Sequence, residues 1–155
     1  MLARSVIRIF HTRVVGLTGR NPDGRDRQAI VARCEAGERL VLGQDPTRRH
    51  RHAIAVTRES GEPLGHLPRH WLRRIGPRMA QGWRYAAVVT AVTGGTPRHP
   101  AHGLAVAVFA GKPGIPDDVW ESALASEIAP ARRTRYLWGA LAAVAAAALV
   151  WYLAR

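Results

Sequence analysis

Cysteine and lysine each occur once in the 155 residues, as Cys34 and Lys112. A single thiol excludes an intramolecular disulfide and any zinc site built on cysteines, and it fits a reducing compartment. Cys34 itself is expected to be a small apolar residue on a helix. Acidic side chains are also scarce, 11 against 23 basic ones, and no carboxylate pair stands at a spacing that suggests acid–base work. There is no glycine-rich phosphate loop of Walker form and no nucleophile elbow. His66 and His70 are four apart, but Pro68 lies between them, which argues against a helical zinc pair; His99 and His102 lie in a Pro/Gly stretch with no partner cysteine. The chain is therefore expected to be neither an enzyme nor a carrier of a metal or cofactor. The N-terminus offers no apolar run of signal-peptide length either, because Arg4 and Arg8 interrupt it.

What is abundant is arginine. It supplies 22 of the 23 basic residues, and the formal net charge is +12. Such a field attracts polyanions, with nucleic acid and anionic lipid head groups the obvious candidates. A coding bias toward arginine would explain Arg in place of Lys, but explains the excess over acid less well. With 47% hydrophobic and 22% charged residues, the composition is that of a folded chain, long enough for one ordinary domain.

The C-terminus carries 19 residues without a charge, Tyr136 to Ala154. At about 1.5 Å per residue, a helix of that length just crosses a hydrocarbon core of about 30 Å. Tyr136 and Trp138 lie at one end and Trp151 and Tyr152 at the other, as two membrane interfaces favour. Arg132, Arg133 and Arg135 precede the run and only Arg155 follows it. The positive-inside rule then predicts a single-pass tail anchor in the inner membrane, with the N-terminal part in the cytoplasm. An alanine-rich helix buried in a soluble core is the alternative, though such a helix has no reason to collect aromatics at both ends. The expected division is a β-barrel domain over 1–112, a linker and amphipathic helix over 113–131, and the membrane segment over 132–155.

Upstream, the pattern predicts short strands with a few helices. Val6 to Leu17 reads as a strand broken near His11 to Arg13. Asn21 to Asp26 is turn chemistry, and Asp26 can cap a short helix holding Ile30, Val31 and Cys34 that Gly37 would stop. Arg39–Gln44 and Ala53–Arg58 are strand-like, and Glu59 to Glu62 joins the second of these to Pro63–Leu67 as a hairpin. Trp71, Leu72, Ile75 and Met79 have helical spacing, with Pro77 limiting or breaking the helix. Tyr85–Val92 and Leu104–Phe109 are two further strands. Asp118 to Glu121 has the form of a capping box, after which Trp120, Leu124 and Ile128 make one apolar stripe. The predicted class is mainly β with short helices, a small OB-like or SH3-like barrel followed by an amphipathic helix and the membrane segment.

Several short motifs stand in a distinctive order. They are V-V-G-L at 14–17, R-Q at 27–28, G-E-R-L-V-L at 37–42, D-P at 45–46, A-I-A-V at 53–56, G-E-P-L-G-H-L-P at 61–68 and T-G-G at 93–95. In this order they resemble the HIRAN domain, over about Val14 to Phe109. The resemblance implies an OB-like barrel with accompanying helices and a binding role without catalysis. For eukaryotic members, it implies capture of a single-stranded DNA 3′ end. It also places a family element just before A-I-x-V, in which an aromatic stacks on a base and an Asp meets the terminal hydroxyl. This chain has Arg49 at the aromatic position, His50 at the acidic one and His52 at the family's Asn.

The candidate nucleic-acid-binding residues are therefore Arg48, Arg49, His50, Arg51 and His52 in the basic loop, with Arg69 and Arg73 on the helix after Pro68. Guanidinium groups make charge-assisted bonds to phosphate and stack on bases. A solvated basic turn is the bland alternative for the loop, and a wet helix face for Arg69, His70, Arg73 and Arg74. The expected partner is single-stranded DNA or DNA ends, with the membrane reached through Tyr136 to Ala154. The competing function is a membrane-anchored adaptor whose barrel holds a protein, a peptide or anionic lipid.

Overall fold

Strands form where β-branched and alternating residues accumulate. The computed structural model describes residues 7–45 and 53–130. It contains β1 (Ile7–Arg13), α1 (Arg27–Val31), β2 (Arg39–Gln44), β3 (Ile54–Arg58), β4 (Pro63–His66), α2 (Arg69–Ala80), β5 (Arg84–Thr93) and β6 (Gly103–Gly111). A further helix, α3, covers 117–130. The strands make one antiparallel sheet in the order β1-β6-β5-β2-β3-β4.

The period of two along β5 and β6 creates two cores. Ala87, Val89, Leu104, Val106 and Val108 face one side, where they pack with Ile30, Val31, Leu40, Ile54, Val56, Leu64 and Ile75. Ala86, Val88, Ala107 and Phe109 face the other, beneath Trp120 and Leu124 of α3. Trp120 is fully buried and meets Phe109 edge to face, with ring centroids 6.5 Å apart. Each of these strands is apolar on both faces because α3 covers one face and residues of β2, β3, β4, α1 and α2 cover the other. Ion pairs hold α3 down: Arg39 donates two hydrogen bonds to Glu121, at 2.9 and 3.2 Å, and Arg84 pairs with Asp117.

The predicted barrel is corrected to an open sheet. Its edges, β1 and β4, meet only at the isolated bridge Val15↔His66, just past the end of β1. β4 is four residues long and starts at Pro63, which has no N–H to donate. The edge is too short to zip closed. Gly65 sits at the close approach: a Cβ there would lie 2.3 Å from the Val15 carbonyl oxygen.

Three local expectations also change. α2 runs through Pro77, which lies in its last turn, so only one late hydrogen bond is forfeited and the ring faces solvent. α3 starts two residues earlier than a cap at Asp118 would allow, since the Trp120 N–H already donates to the Pro116 carbonyl at 3.0 Å. Cys34 lies beyond α1, not on it. It is buried, its thiol donates to the Ile30 carbonyl, and burial, reinforced by Glu38, pushes its pKa up to about 11. Asp26 does cap α1, its side chain accepting from the Gln28 N–H. Among the described residues no helix is long and apolar enough to cross a membrane. Tyr136 to Ala154 lie outside them.

Candidate nucleic-acid interface

The two stems of the basic loop are fixed by β2 and β3. The Asp45 N–H donates to the Ala53 carbonyl at 3.0 Å, closing the hairpin before residues 46–52. Asp45 is also tied sideways, its carboxylate lying 2.7 Å from His66 Nε2, with both side chains largely buried. The His66 backbone pairs in both directions with Val15, at 2.8 and 2.9 Å, and Leu67 N–H donates to Ile54. Two residues later α2 begins. The loop stems, the chain leaving β1 and the start of α2 thus converge on one end of the sheet.

A second set of bonds locks the segment after β1. Arg27 donates to the Gly16 carbonyl at 2.9 Å and to Asn21 Oδ1 at 2.8 Å, while Asn21 Nδ2 donates to the Pro63 carbonyl. Gln28 Nε2 donates to the carbonyls of Leu17 and His102, and its Oε1 accepts from the His102 N–H at 2.6 Å. The R-Q pair therefore staples residues 16–21 to β4 and to the connection between β5 and β6. Gly16 (φ 75°) adopts the left-handed backbone this path needs.

The charge on α2 is arranged against helix electrostatics. Arg69 and His70 stand in its first turn, no acidic residue does, and Pro68 supplies no side-chain cap. Cations at that end oppose the macrodipole. Arg69 and Arg73, like Arg74 and Arg78, are one turn apart, the spacing at which like charges repel. Among the described residues none of these four arginines has a carboxylate within ion-pair distance. Arg74 lies over the Trp71 ring at 5.7 Å and Arg78 over Trp83 at 5.0 Å.

Of the sequence-derived site residues, Arg69 and Arg73 are brought together, exposed and a turn apart on α2. Arg48, Arg49, His50, Arg51 and His52 lie outside the described residues. Composition and spacing did not reveal the Asp45–His66 brace, although both residues belong to the D-P and G-H-L-P motifs. The signal was a histidine and a carboxylate at the ends of two strands that the hairpin registers bring side by side. Trp71 packs against the edge of the core. It is half-buried, stacked on Phe10 at 3.9 Å, with its indole N–H donating to Thr12 Oγ1.

The HIRAN domain family model matches residues 10–101. A structural-genomics protein from Lactobacillus plantarum shares the fold at a TM-score of 0.52 with 19% identity, covering 67% of this chain and 96% of that one. The HIRAN domain of human HLTF superposes at a TM-score of 0.47 with 17% identity, covering 83% and 94%. No curated protein sequence matches this one.

Proposed function

The chain belongs to the HIRAN domain family, and on that footing we propose that it is a non-catalytic module that binds nucleic acid, with single-stranded DNA or DNA ends as the ligand. The observation that carries this reading is the first half of α2, where Arg69 and Arg73 are set a turn apart with no carboxylate among the described residues to neutralise them. Such an arrangement costs stability in the free protein and is relieved by a polyanion. Arg69 stands three residues from His66, whose brace to Asp45 sets the stem of the loop carrying Arg48, Arg49, His50, Arg51 and His52. Phosphate contacts from Arg69 and Arg73 and base contacts from that loop are the expected division of labour.

Titrating the 155-residue chain with 5′-labelled single-stranded DNA and duplex at several salt concentrations tests the reading. Log K should fall linearly with log salt, each phosphate contact on a single strand adding about 0.7 to the slope. Absence of binding at about 50 mM salt would sink it, leaving an adaptor for an acidic protein partner as the better account.

The tail from Tyr136 to Ala154 supports a further proposal, a tether to the inner membrane with the folded part in the cytoplasm. A cysteine placed at exposed Arg98 should resist an impermeant thiol reagent in intact cells. Cys34 adds little background, since it is buried and its thiol is pushed up to about 11. Labelling from outside would reverse the topology.

A further inference from the structure

A groove of about 360 Å³ lies between β1 and the part of α2 from Trp71 to Arg78. Phe10 and Trp71, stacked at 3.9 Å, line it, and Arg8, Arg74 and Arg78 stand around them. Tyr85 forms part of its wall, with a buried hydroxyl that makes no well-formed hydrogen bond among the described residues. Among the described residues no acidic side chain lines the groove. Burial raises the pKa of the Tyr85 phenol while Arg78 and Arg8 pull against it, so both guanidiniums act on that hydroxyl.

We propose that this groove is a second phosphate-binding subsite, which takes the sugar–phosphate backbone of the strand beyond the nucleotides held near the loop. The inference rests on the nucleic-acid reading and extends it from an end-binding mouth to a track. Charge complementarity selects the occupant: three unneutralised guanidiniums and a phenol hydroxyl in search of an acceptor suit phosphate oxygens, which take two parallel bonds from an arginine. Geometry supplies the path. Arg69 and Arg78 are nine residues apart on α2, about 14 Å along the helix axis, with Arg73 and Arg74 between them. The Phe10–Trp71 stack already uses one face of each ring, so the aromatic pair forms the groove's wall and the guanidiniums make the contacts.

The test compares short and long 5′-labelled oligothymidylates, from about four to about sixteen nucleotides, on the 155-residue chain and on the Arg74→Gln, Arg78→Gln variant. The native chain should bind long strands with a salt slope steeper by about 1.4 than short ones, two extra phosphate contacts. The variant should lose that increment, with about tenfold weaker binding of long strands and unchanged binding of short ones. Because Arg78 also covers Trp83, Arg74→Glu alone is the control for folding, and it should weaken long strands only. Length-independent binding by the native chain, or equal losses on short and long strands, overturns the subsite and leaves the end-binding reading standing. No binding of any oligonucleotide overturns both. If the variant loses affinity for anionic vesicles but not for long strands, the groove is a lipid contact and the proposal fails.

Discussion

Two arginine-rich regions of this molecule have opposite electrostatic character. On one, Glu62 accepts from Arg25, Arg33 and Arg58 at 2.9–3.1 Å and from Ser60 Oγ, while Glu38 takes the Arg58 Nε at 2.6 Å. The two carboxylates hold together the turn after β1, the end of α1, the approach to β2 and the β3–β4 hairpin. On the other, α2 presents Arg69, Arg73, Arg74 and Arg78 with no such partner among the described residues. The same side chain works as an internal tie in one place and as an unsatisfied cation in the other. A net charge says nothing of this division. It shows where the excess is available to a ligand.

The contrast is broken most strongly by neutralising α2. Arg69→Gln with Arg73→Gln should weaken single-strand binding about tenfold or more and lower the salt slope by about 1.4, read by fluorescence anisotropy. Thermal unfolding should show no loss of Tm, because the pair removed repels itself. A clear drop in Tm without a change in binding would mean the helix is structural like the other face.

The converse change is Glu62→Gln. It removes an acceptor shared by three guanidiniums and takes from Arg33 its carboxylate, while Arg25 keeps Asp23 and Arg58 keeps Glu38. Tm should fall by several degrees, on the order of 5 °C, while affinity for single strands stays as in the native chain. Loss of binding with Tm unchanged would put the ligand on the wrong face.

Acid should separate the two regions without mutation. Glu62 is held below its ordinary 4.5, chiefly by the hydrogen bond from Arg33, and Asp23 below its ordinary 3.8, chiefly by the Arg25 backbone N–H. A carboxylate with a lowered folded pKa stabilises fully above its unfolded value and loses that contribution as pH falls through the folded one. Stability followed by circular dichroism should therefore be flat above about pH 4.5 for this network and decline below it, whereas Glu62→Gln should show a shallower decline. An identical acid profile in the two proteins would remove Glu62 from the account.

The smallest effect is expected from Arg69→Glu, which places an acid in the first turn of α2 where the dipole favours it. The gain should be about 0.3–1 kcal/mol in chemical denaturation, at the expense of nucleic-acid affinity. A loss of stability would show that Arg69 makes a structural contact.

Much of the fold was legible because it is written in local patterns. The alternation over Arg39–Gln44, the turn chemistry of Asn21 to Asp26, the Asp26 cap and the stripe of Trp120, Leu124 and Ile128 all act within a few residues, and each element forms where the pattern stands. Pro77 misled because its cost depends on how near the helix end it falls. The barrel was over-read because closure depends on the length of the β4 edge, which a list of strands does not contain.

By itself the sequence determined the strand and helix positions, the family, the positive field and the absence of paired thiols. Only the tertiary structure decided which of the described arginines meet a carboxylate and which do not, since ion pairing joins residues far apart in the chain. Arg39 and Glu121 are separated by 82 positions, Arg25 and Glu62 by 37. The groove likewise exists only because antiparallel pairing sets Phe10 of β1 beside Trp71 of α2 and Tyr85 of β5. Local propensity acts over a turn or a strand, whereas a carboxylate neutralises whatever cation the fold carries to within about 4 Å of it.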